Sequence, residues 1–226
     1  MLTREFLESA DCRTSFGPVE ERLLLSTAQR SASLHNFLSR KPTHGPLWIF
    51  GYGSLMWNPL LNYDQVETAC LDGWSRDFCL TLIAGRGNAE QPGRMLALVK
   101  GGNTVGRAFK LSCDSWESEL ALLWKREMLT GCYRPLWQTL RFNNGETVDG
   151  LVFVANPEHP LFNRHEDPVV KAQRICAAQG PLGKNLTYFE EMIRTLEAFG
   201  IEEPKMQALT EHITKLSTEL NKKSSD

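Results

Sequence analysis

The sequence predicts an α+β fold in which a small, twisted sheet of antiparallel or mixed strands forms a barrel-like shape with helices around it. Three observations support this. Short apolar or alternating runs follow one another through the middle of the chain, as strands do. Glycine-rich separators keep the connections short, which implies antiparallel neighbours, and closure of the sheet removes its exposed edges. Stretches with helical periodicity flank these runs.

The predicted strands begin with the apolar run at residues 47–50. Further runs at residues 66–71, 78–83, 95–99, 105–111, 136–142 and 147–154 alternate or are apolar throughout. The Gly-Gly-Asn separator at residues 101–103 predicts a hairpin turn, and so does Asn-Asn-Gly-Glu at residues 143–146. The sheet therefore consists of neighbours joined by tight turns.

The helices are predicted from proline, acidic and capping signals. Pro18 followed by acids predicts a helix that starts there and ends by Lys41-Pro42. Asp114 or Ser115 as N-cap, with Glu117 completing a capping box, starts a second helix. Helical patterns resume at residues 168–178, 185–199 and 204–220. We expect a helical extension over residues 1–46, a central domain over 47–200, and a helix and tail packed on it over 201–226.

Composition narrows the function classes. The chain has 226 residues, is 42% hydrophobic, and carries a net charge of −2, which leaves no basic field for nucleic acid or an anionic membrane. Neither a secretory leader nor a run of membrane-spanning length is visible, so we expect a cytoplasmic protein with a small-molecule partner. The 6 cysteines and 5 histidines lack the spacing of a disulfide framework or metal site, so no metal is expected.

Two glycines one residue apart, Gly51 and Gly53, follow the first predicted strand. Glycine permits positive φ and a close approach of other groups, so this turn can point consecutive N–H groups at one anion, such as a carboxylate. The alternative is a tight turn that only starts the next element. The spacing excludes a dinucleotide fingerprint, because Met56 stands where a small residue is needed, and a nucleophile elbow, because Ser54 directly follows Gly53.

A carboxylate continues the apolar face of the helix predicted from residue 114. Glu127 follows Leu123 and Trp124 at helical spacing, whereas Lys125 and Arg126 are predicted to point elsewhere. Facing a core, the carboxylate is costly to ionise, and its raised pKa suits a base or acid. The alternative is a helix that ends after Lys125 and leaves Glu127 in water or paired with an arginine.

The run Phe50-Gly51-Tyr52-Gly53-Ser54-Leu55 resembles the opening motif of the γ-glutamylcyclotransferase superfamily. Its extension through Trp57-Asn58-Pro59 is similar to the ChaC branch, which acts on glutathione. The likeness spans residues 47–188 and implies a γ-glutamylcyclotransferase-like fold with the catalytic domain at residues 47–200. The implied enzyme is a lyase that converts the γ-glutamyl group of glutathione to 5-oxoproline and releases cysteinylglycine. The substrate's own α-amine is the nucleophile, so no cofactor or metal is required.

The resemblance also implies the site residues. Arg126-Glu127 followed by Gly131-Cys132-Tyr133-Arg134 is similar to the family's Arg-Glu…Gly-Tyr segment, whose glutamate is catalytic, although many relatives have a shorter link before the tyrosine. Similar segments at residues 86–94 and 180–188 place Arg86, Asn185 and Tyr188 near the substrate. The implied catalytic residue is Glu127. The implied substrate-binding residues are Phe50, Gly51, Tyr52, Gly53, Ser54, Leu55, Met56, Arg86, Tyr133 and Tyr188.

Two alternatives to a glutathione-specific enzyme stay open. One is a cyclotransferase for another γ-glutamyl compound. The other is a non-catalytic binding or regulatory module on the same fold, since one fold hosts many functions. A carboxylate on the apolar face disfavours the second, because a binder has no need of it. The sequence gives no oligomeric state.

Overall fold

The structure is a computed structural model that describes residues 2–9, 15–42 and 45–223. The described residues form the following helices, 3₁₀ turns and strands, in chain order. They are α1 (Arg4–Glu8), a 3₁₀ turn (Glu21–Leu23), α2 (Thr27–Leu38), β1 (Trp48–Gly51), a 3₁₀ turn (Ser54–Met56), β2 (Tyr63–Leu82), β3 (Gly93–Leu111), α3 (Trp116–Glu127), β4 (Tyr133–Phe142), β5 (Thr147–Ala155), α4 (Pro168–Ala177), β6 (Gln179–Gly180), β7 (Gly183–Lys184), α5 (Asn185–Ala198) and α6 (Pro204–Lys223).

Five of the strands form a closed barrel in the order β1-β3-β2-β4-β5. Strand β1 runs antiparallel to β3 and parallel to β5, which makes the barrel mixed. The predicted α+β class with a mixed, barrel-like sheet and surrounding helices is confirmed. Closure of the sheet leaves no continuous exposed edge.

Alternate residues of β1 belong to two different hydrophobic clusters, as the period of a strand requires. Trp48 and Phe50 pack in the cluster that includes α4, α5 and α6. Ile49 packs in the cluster that includes α2 and α3. Met206 and Leu209 of α6 are buried in the first of these clusters. The barrel is thereby covered by helices on both sides of the short strand that leads to the glycine turn.

Strands β2 and β3 are longer than the sequence predicts, and the hairpin turn expected at residues 101–103 is wrong. The two strands stay paired through this region, with Asn103 opposite Asp72 and Lys100 opposite Trp74. Gly101 and Gly102 have positive φ, and the register shifts here. The glycines thus accommodate a bulge in a continuing ladder instead of reversing the chain. The true connection between β2 and β3 is the loop at residues 83–92.

The turn predicted at residues 143–146 is confirmed. Strands β4 and β5 pair antiparallel on either side of it. Gly145 has φ +87°, and the Phe142 N–H donates to the Glu146 carbonyl at 2.8 Å. A positive φ at this position is what an Asn-Gly hairpin turn needs.

One predicted helix start is wrong. The first long helix begins at Thr27, not at Pro18, because Ser26 takes an extended conformation and forms a capping box with Gln29. The residues before it form only the 3₁₀ turn Glu21–Leu23. Helix α3 begins at Trp116 with Ser115 as its N-cap residue, which confirms one of the two predicted positions, but no side chain caps it and the predicted capping box does not form. The later helices α4, α5 and α6 begin at the predicted residues or within a residue of them.

Within the described residues, none of the helices combines the length and apolar character that crossing a bilayer requires. The described cysteines, Cys70, Cys79, Cys113, Cys132 and Cys176, are free thiols. Cys12 and His44, which entered the sequence analysis, lie outside the described residues.

Candidate active site

Helix α3 runs through Glu127 and carries its carboxylate to the wall of a cavity. The expectation of an apolar helical face that ends in a carboxylate is therefore confirmed, and an end after Lys125 is wrong. The Glu127 side chain is 15% exposed, and the Nε atom of Arg126 lies 3.1 Å from its Oε1 atom. The carboxylate is enclosed by protein but reachable from the cavity.

Glu127 and Arg126 each affect the pKa of the other. Burial raises the pKa of the Glu127 carboxyl, and the positive charge of Arg126 opposes this increase only in part. Burial also lowers the pKa of the Arg126 guanidinium, which Glu127 counteracts. A carboxylate whose pKa is moved toward neutral pH is a better proton acceptor and donor near that pH than an ordinary glutamate.

Arg126 belongs to the site, although the sequence predicts that it points elsewhere. Its guanidinium donates to the Ser54 hydroxyl at 2.8 Å and to the carbonyls of Asn58 and Pro59 at 2.8 and 3.1 Å. The long, flexible stem explains the difference, because an arginine can carry its charge well away from the direction of its Cβ. Arg126 thus ties helix α3 to the glycine turn.

The glycine turn presents backbone donors to the same cavity. Gly53, Ser54 and Leu55 line a small cavity of about 30 Å³ together with Glu127. Among the described residues, no group accepts a hydrogen bond from the N–H groups of these three residues. The next turn is closed by Met56 N–H, which donates to the Gly53 carbonyl at 2.8 Å. Three free donors in sequence form a site for an anion or a developing oxyanion.

Close packing requires glycine at position 51, and neither glycine of the turn has positive φ. Gly51 lies in β1, and Gly53 has φ −127°, so the expectation of a left-handed conformation is wrong. A Cβ on Gly51 would lie 3.0 Å from Leu55 Cβ and from the Phe109 ring. A Cβ on Gly53 would lie 3.4 Å from the Tyr188 hydroxyl. Glycine therefore lets neighbouring groups pack against the backbone of the turn.

Three tyrosines line the small cavity in different hydrogen-bonding states. The hydroxyls of Tyr52 and Tyr133 each donate to a backbone carbonyl at 2.7 Å, of Phe153 and Leu96 respectively. Within the described part of the chain, the Tyr188 hydroxyl has no hydrogen-bond partner. Burial raises the pKa of Tyr188 above its ordinary value, so the phenol stays protonated. Tyr188 is therefore available to donate to a bound molecule.

A larger cavity of about 330 Å³ adjoins the small one. The two share Ser54, Glu127, Tyr133 and Tyr188 as lining residues. Arg86 lines the larger cavity and donates to the Lys184 carbonyl at 3.1 Å, and burial lowers its pKa. The two cavities thus meet at these four residues. The rest of the glycine turn lines the small cavity, and Arg86 lines the larger one.

Three expected residues lie outside both cavities. Gly51 forms the base of the turn, and the Met56 sulfur lies 3.5 Å from the Arg76 guanidinium behind it. Asn185 is fully buried, where its side chain accepts from the Arg94 N–H at 2.7 Å and donates to the Arg94 carbonyl at 3.0 Å. Asn185 therefore fastens β3 to helix α5, a structural role.

Trp57 and Glu191 line the larger cavity but were not singled out from the sequence. Trp57 is part of the extended motif after the glycine turn, so that motif was the available signal, and its ring packs on Tyr188 with centroids 5.7 Å apart. Glu191 lies on α5 close to Tyr188, and no local pattern distinguished it from a surface carboxylate. Across the described residues, no His, Cys, Asp and Glu side chains are grouped as a metal site would need.

Comparison with known proteins gives a consistent set of relatives. Residues 47–222 match the model of the family described as ChaC-like protein. The chain is 49% identical over 219 residues to the glutathione-specific gamma-glutamylcyclotransferase of Escherichia coli (strain K12), covering 97% of this chain and 95% of that protein. It is 33% identical over 146 residues to glutathione-specific gamma-glutamylcyclotransferase 1 of Danio rerio, covering 63% of this chain and 74% of that protein.

The fold is also shared with a solved structure. The crystal structure of a yeast gamma-glutamyl cyclotransferase specific to glutathione superposes with a TM-score of 0.68 at 17% identity. The match covers 76% of this chain and 99% of that one. At this identity, the similarity shows a common fold.

Proposed function

The chain belongs to the ChaC-like protein family, and we propose that it converts glutathione to 5-oxoproline and cysteinylglycine. Its similarity to the Escherichia coli glutathione-specific enzyme, at 49% identity over nearly the whole of both chains, supports this substrate. The catalytic residue is Glu127, and the substrate-binding residues are those of the glycine turn with Arg86, Tyr133 and Tyr188.

One observation carries the proposal: Glu127, with its enclosed carboxylate, lines the same cavity as Gly53, Ser54 and Leu55, whose N–H groups have no acceptor among the described residues. Cyclisation needs a proton acceptor and donor at one point and stabilisation of negative charge at another. Both are present. No serine or cysteine nucleophile is required, because the substrate's α-amine attacks its own γ-glutamyl carbonyl.

The reaction transfers protons and exchanges one bond for another. The α-ammonium gives a proton to Glu127, and the amine then forms a bond to the δ-carbon, which closes the five-membered ring. The amide bond to the cysteine nitrogen breaks, and that nitrogen receives the protons that the amine has lost, by way of Glu127. No water is consumed. One carboxylate with a raised pKa can serve both steps, since it must accept and release protons near neutral pH.

The remaining groups orient the substrate. The N–H groups of the glycine turn hold the glutamyl α-carboxylate or the oxyanion that develops on the carbonyl oxygen. Tyr188 donates to the same glutamyl group, and Tyr133 forms the opposite wall of the small cavity. Arg86 pairs with the terminal carboxylate of glutathione from the larger cavity. Holding the amine beside the carbonyl in a ring-forming geometry supplies the rest of the acceleration.

The decisive experiment offers the purified protein glutathione, γ-glutamyl-alanine and other γ-glutamyl peptides, and measures 5-oxoproline. Glutathione should be the preferred substrate. Preference for a different γ-glutamyl compound would favour the first alternative, and absence of product from all of them would favour a binding module. Heat-inactivated protein provides the control for spontaneous cyclisation.

Three further parts of the proposal concern the setting of the site. The catalytic domain spans residues 47–200, with residues 1–46 as an N-terminal extension and residues 201–226 as a C-terminal segment whose helix α6 packs on it. The protein acts in the cytoplasm, which suits the free thiols of the described cysteines. Its partner is a small molecule, with neither nucleic acid nor membrane as a ligand.

A further inference from the structure

The N-terminal segment, defined as residues 2–9 and 15–17, contributes to the larger cavity although it precedes the region that matches the family model. Leu2 and Phe16 both line the cavity. Phe16 is 8% exposed, and its ring packs edge-on against Phe6 with centroids 5.1 Å apart. The segment is therefore part of the wall of the candidate active site.

A partly buried ion pair fixes this segment to helix α3. The Arg4 guanidinium donates to both oxygens of Glu119 on α3, each at 2.8 Å, and the Glu119 side chain is fully buried. Asn62 donates two further hydrogen bonds to the Glu119 carboxylate, one from its backbone N–H and one from its side-chain amide. A bidentate arginine pair of this kind has a specific geometry. The start of the chain consequently has a defined position relative to the helix that ends in Glu127.

The segment is also joined to the two loops that carry predicted binding residues. The Asn58 side chain, just after the glycine turn, donates to the Leu2 carbonyl at 3.0 Å. The N–H of Gly85, beside Arg86, donates to the Phe16 carbonyl at 2.7 Å. One stretch of chain thus contacts the glycine turn, the catalytic helix and the Arg86 loop.

The shape of the site divides a γ-glutamyl substrate between the two cavities. The small cavity of about 30 Å³ at the glycine turn has room for one end of the glutamyl group, such as its α-carboxylate. The group attached to the γ-carbonyl must extend past Glu127 into the larger cavity. Around Phe16 that cavity is apolar, with Ala84, Leu129 and Leu182 in the same hydrophobic cluster.

We propose that the N-terminal segment, through Leu2 and Phe16, forms the wall of the leaving-group half of the site and selects the substrate by that half. The inference rests on the proposed function. It adds residues from outside the matched family region to the determinants of specificity. It also gives a role to the ion pair between Arg4 and the buried Glu119, which the proposed reaction itself does not use.

The two reaction products report on the two halves separately. Cysteinylglycine as a product inhibitor occupies the leaving-group half, whereas 5-oxoproline occupies the glutamyl half. Phe16→Ala and Leu2→Ala should each raise the inhibition constant of cysteinylglycine and the KM for glutathione by roughly 5- to 50-fold, with kcat and the inhibition constant of 5-oxoproline little changed. Val19→Ala is the matched control, because Val19 packs on the same cluster but does not line the cavity.

Thermal melts of all variants check the fold, and Leu2→Ala carries the test if Phe16→Ala does not fold. An inactive wild-type protein would overturn the proposed function and this inference with it. An active wild type would leave the function standing. In that case, three results would overturn only the proposal that the N-terminal segment selects the leaving group. These are equal changes in both inhibition constants, no change in either constant, or the same effect in Val19→Ala.

Discussion

The Arg126 guanidinium lies 3.1 Å from the Glu127 carboxylate and donates to the Ser54 hydroxyl at 2.8 Å. It therefore contacts both Glu127, the proposed proton carrier, and the glycine turn. Its charge limits how far burial raises the pKa of Glu127, and its hydrogen bonds hold the turn. Arg126 acts on the reaction by positioning these two elements.

Replacing Arg126 should shift the pH dependence of the reaction. In Arg126→Gln the positive charge that lowers the pKa of Glu127 is gone, so this pKa rises further. Glu127 must be ionised to accept a proton, so the acid limb of the kcat/KM profile should move to higher pH. The loss of activity should then be larger at about pH 6 than at about pH 8.

Arg134→Gln is the control for this charge change, because Arg134 is 41% exposed and pairs with the exposed Glu158 at the surface. Its pH profile should match that of the wild type. A uniform loss of activity in Arg126→Gln at every pH would show that only the hydrogen bonds of Arg126 matter.

The two glycines of the turn should respond differently to alanine. Gly51→Ala places a Cβ 3.0 Å from Leu55 Cβ and the Phe109 ring, so the packing of β1 must shift and the melting temperature should fall. Gly53→Ala places its Cβ at 3.4 Å from the Tyr188 hydroxyl and should chiefly raise the KM for glutathione. Melting curves and steady-state kinetics of both variants check this.

Ile49→Val in the same strand serves as the comparison, since a mild core change costs about 0.5–1.5 kcal/mol in the free energy of unfolding. If Gly53→Ala had no more effect on KM than Ile49→Val, the turn would be structural and the free N–H groups would not bind substrate.

Activity should be independent of metal ions. Among the described residues, His, Cys, Asp and Glu are not grouped as a metal site would need, and the proposed chemistry uses a carboxylate and backbone donors. Incubation with EDTA followed by desalting should leave 5-oxoproline formation unchanged. Loss of activity that zinc restores would contradict the mechanism.

The barrel and the position of Glu127 could be predicted because each depends on local periodicity. The strand β1 and the apolar face of α3 both follow from the spacing of apolar residues. The bulge at Gly101 and Gly102 could not be predicted, since the same residues suit a hairpin turn. The pairing of β3 with β2 on both sides of these glycines decides in favour of the bulge. This pairing joins residues far apart in the chain.

Side-chain reach explains the other differences at the site. The helical position of Arg126 directs its Cβ away from the core, but the long side chain brings the guanidinium back to Ser54. The motif around Asn185 predicts that this residue lies near the substrate. In the structure, its side-chain amide instead forms hydrogen bonds with the backbone of Arg94. Leu2 and Phe16 carry no pattern of their own, and only the tertiary structure brings them to the cavity.

Glu127 should be a net cost to stability at neutral pH. Its folded pKa is raised above the unfolded value, so the unfolded chain ionises more readily, and stability is lost as the pH rises above the unfolded value of about 4.3. Glu127→Gln removes this cost. In the variant, Arg126 loses its charged neighbour, and we expect its hydrogen bonds to Ser54, Asn58 and Pro59 to compensate for that loss. The stability advantage of the variant should shrink as the pH falls toward that value.

The most direct test measures 5-oxoproline formation and the melting temperature of Glu127→Gln beside the wild type at about pH 7 and about pH 5. Loss of the proton acceptor should lower turnover by roughly 10²- to 10⁴-fold. The variant should melt at the same temperature as the wild type or higher at about pH 7, with a smaller difference at about pH 5. A Glu127→Gln protein that is destabilised at neutral pH but still forms 5-oxoproline at the wild-type rate would contradict the assignment of Glu127 as the catalytic residue.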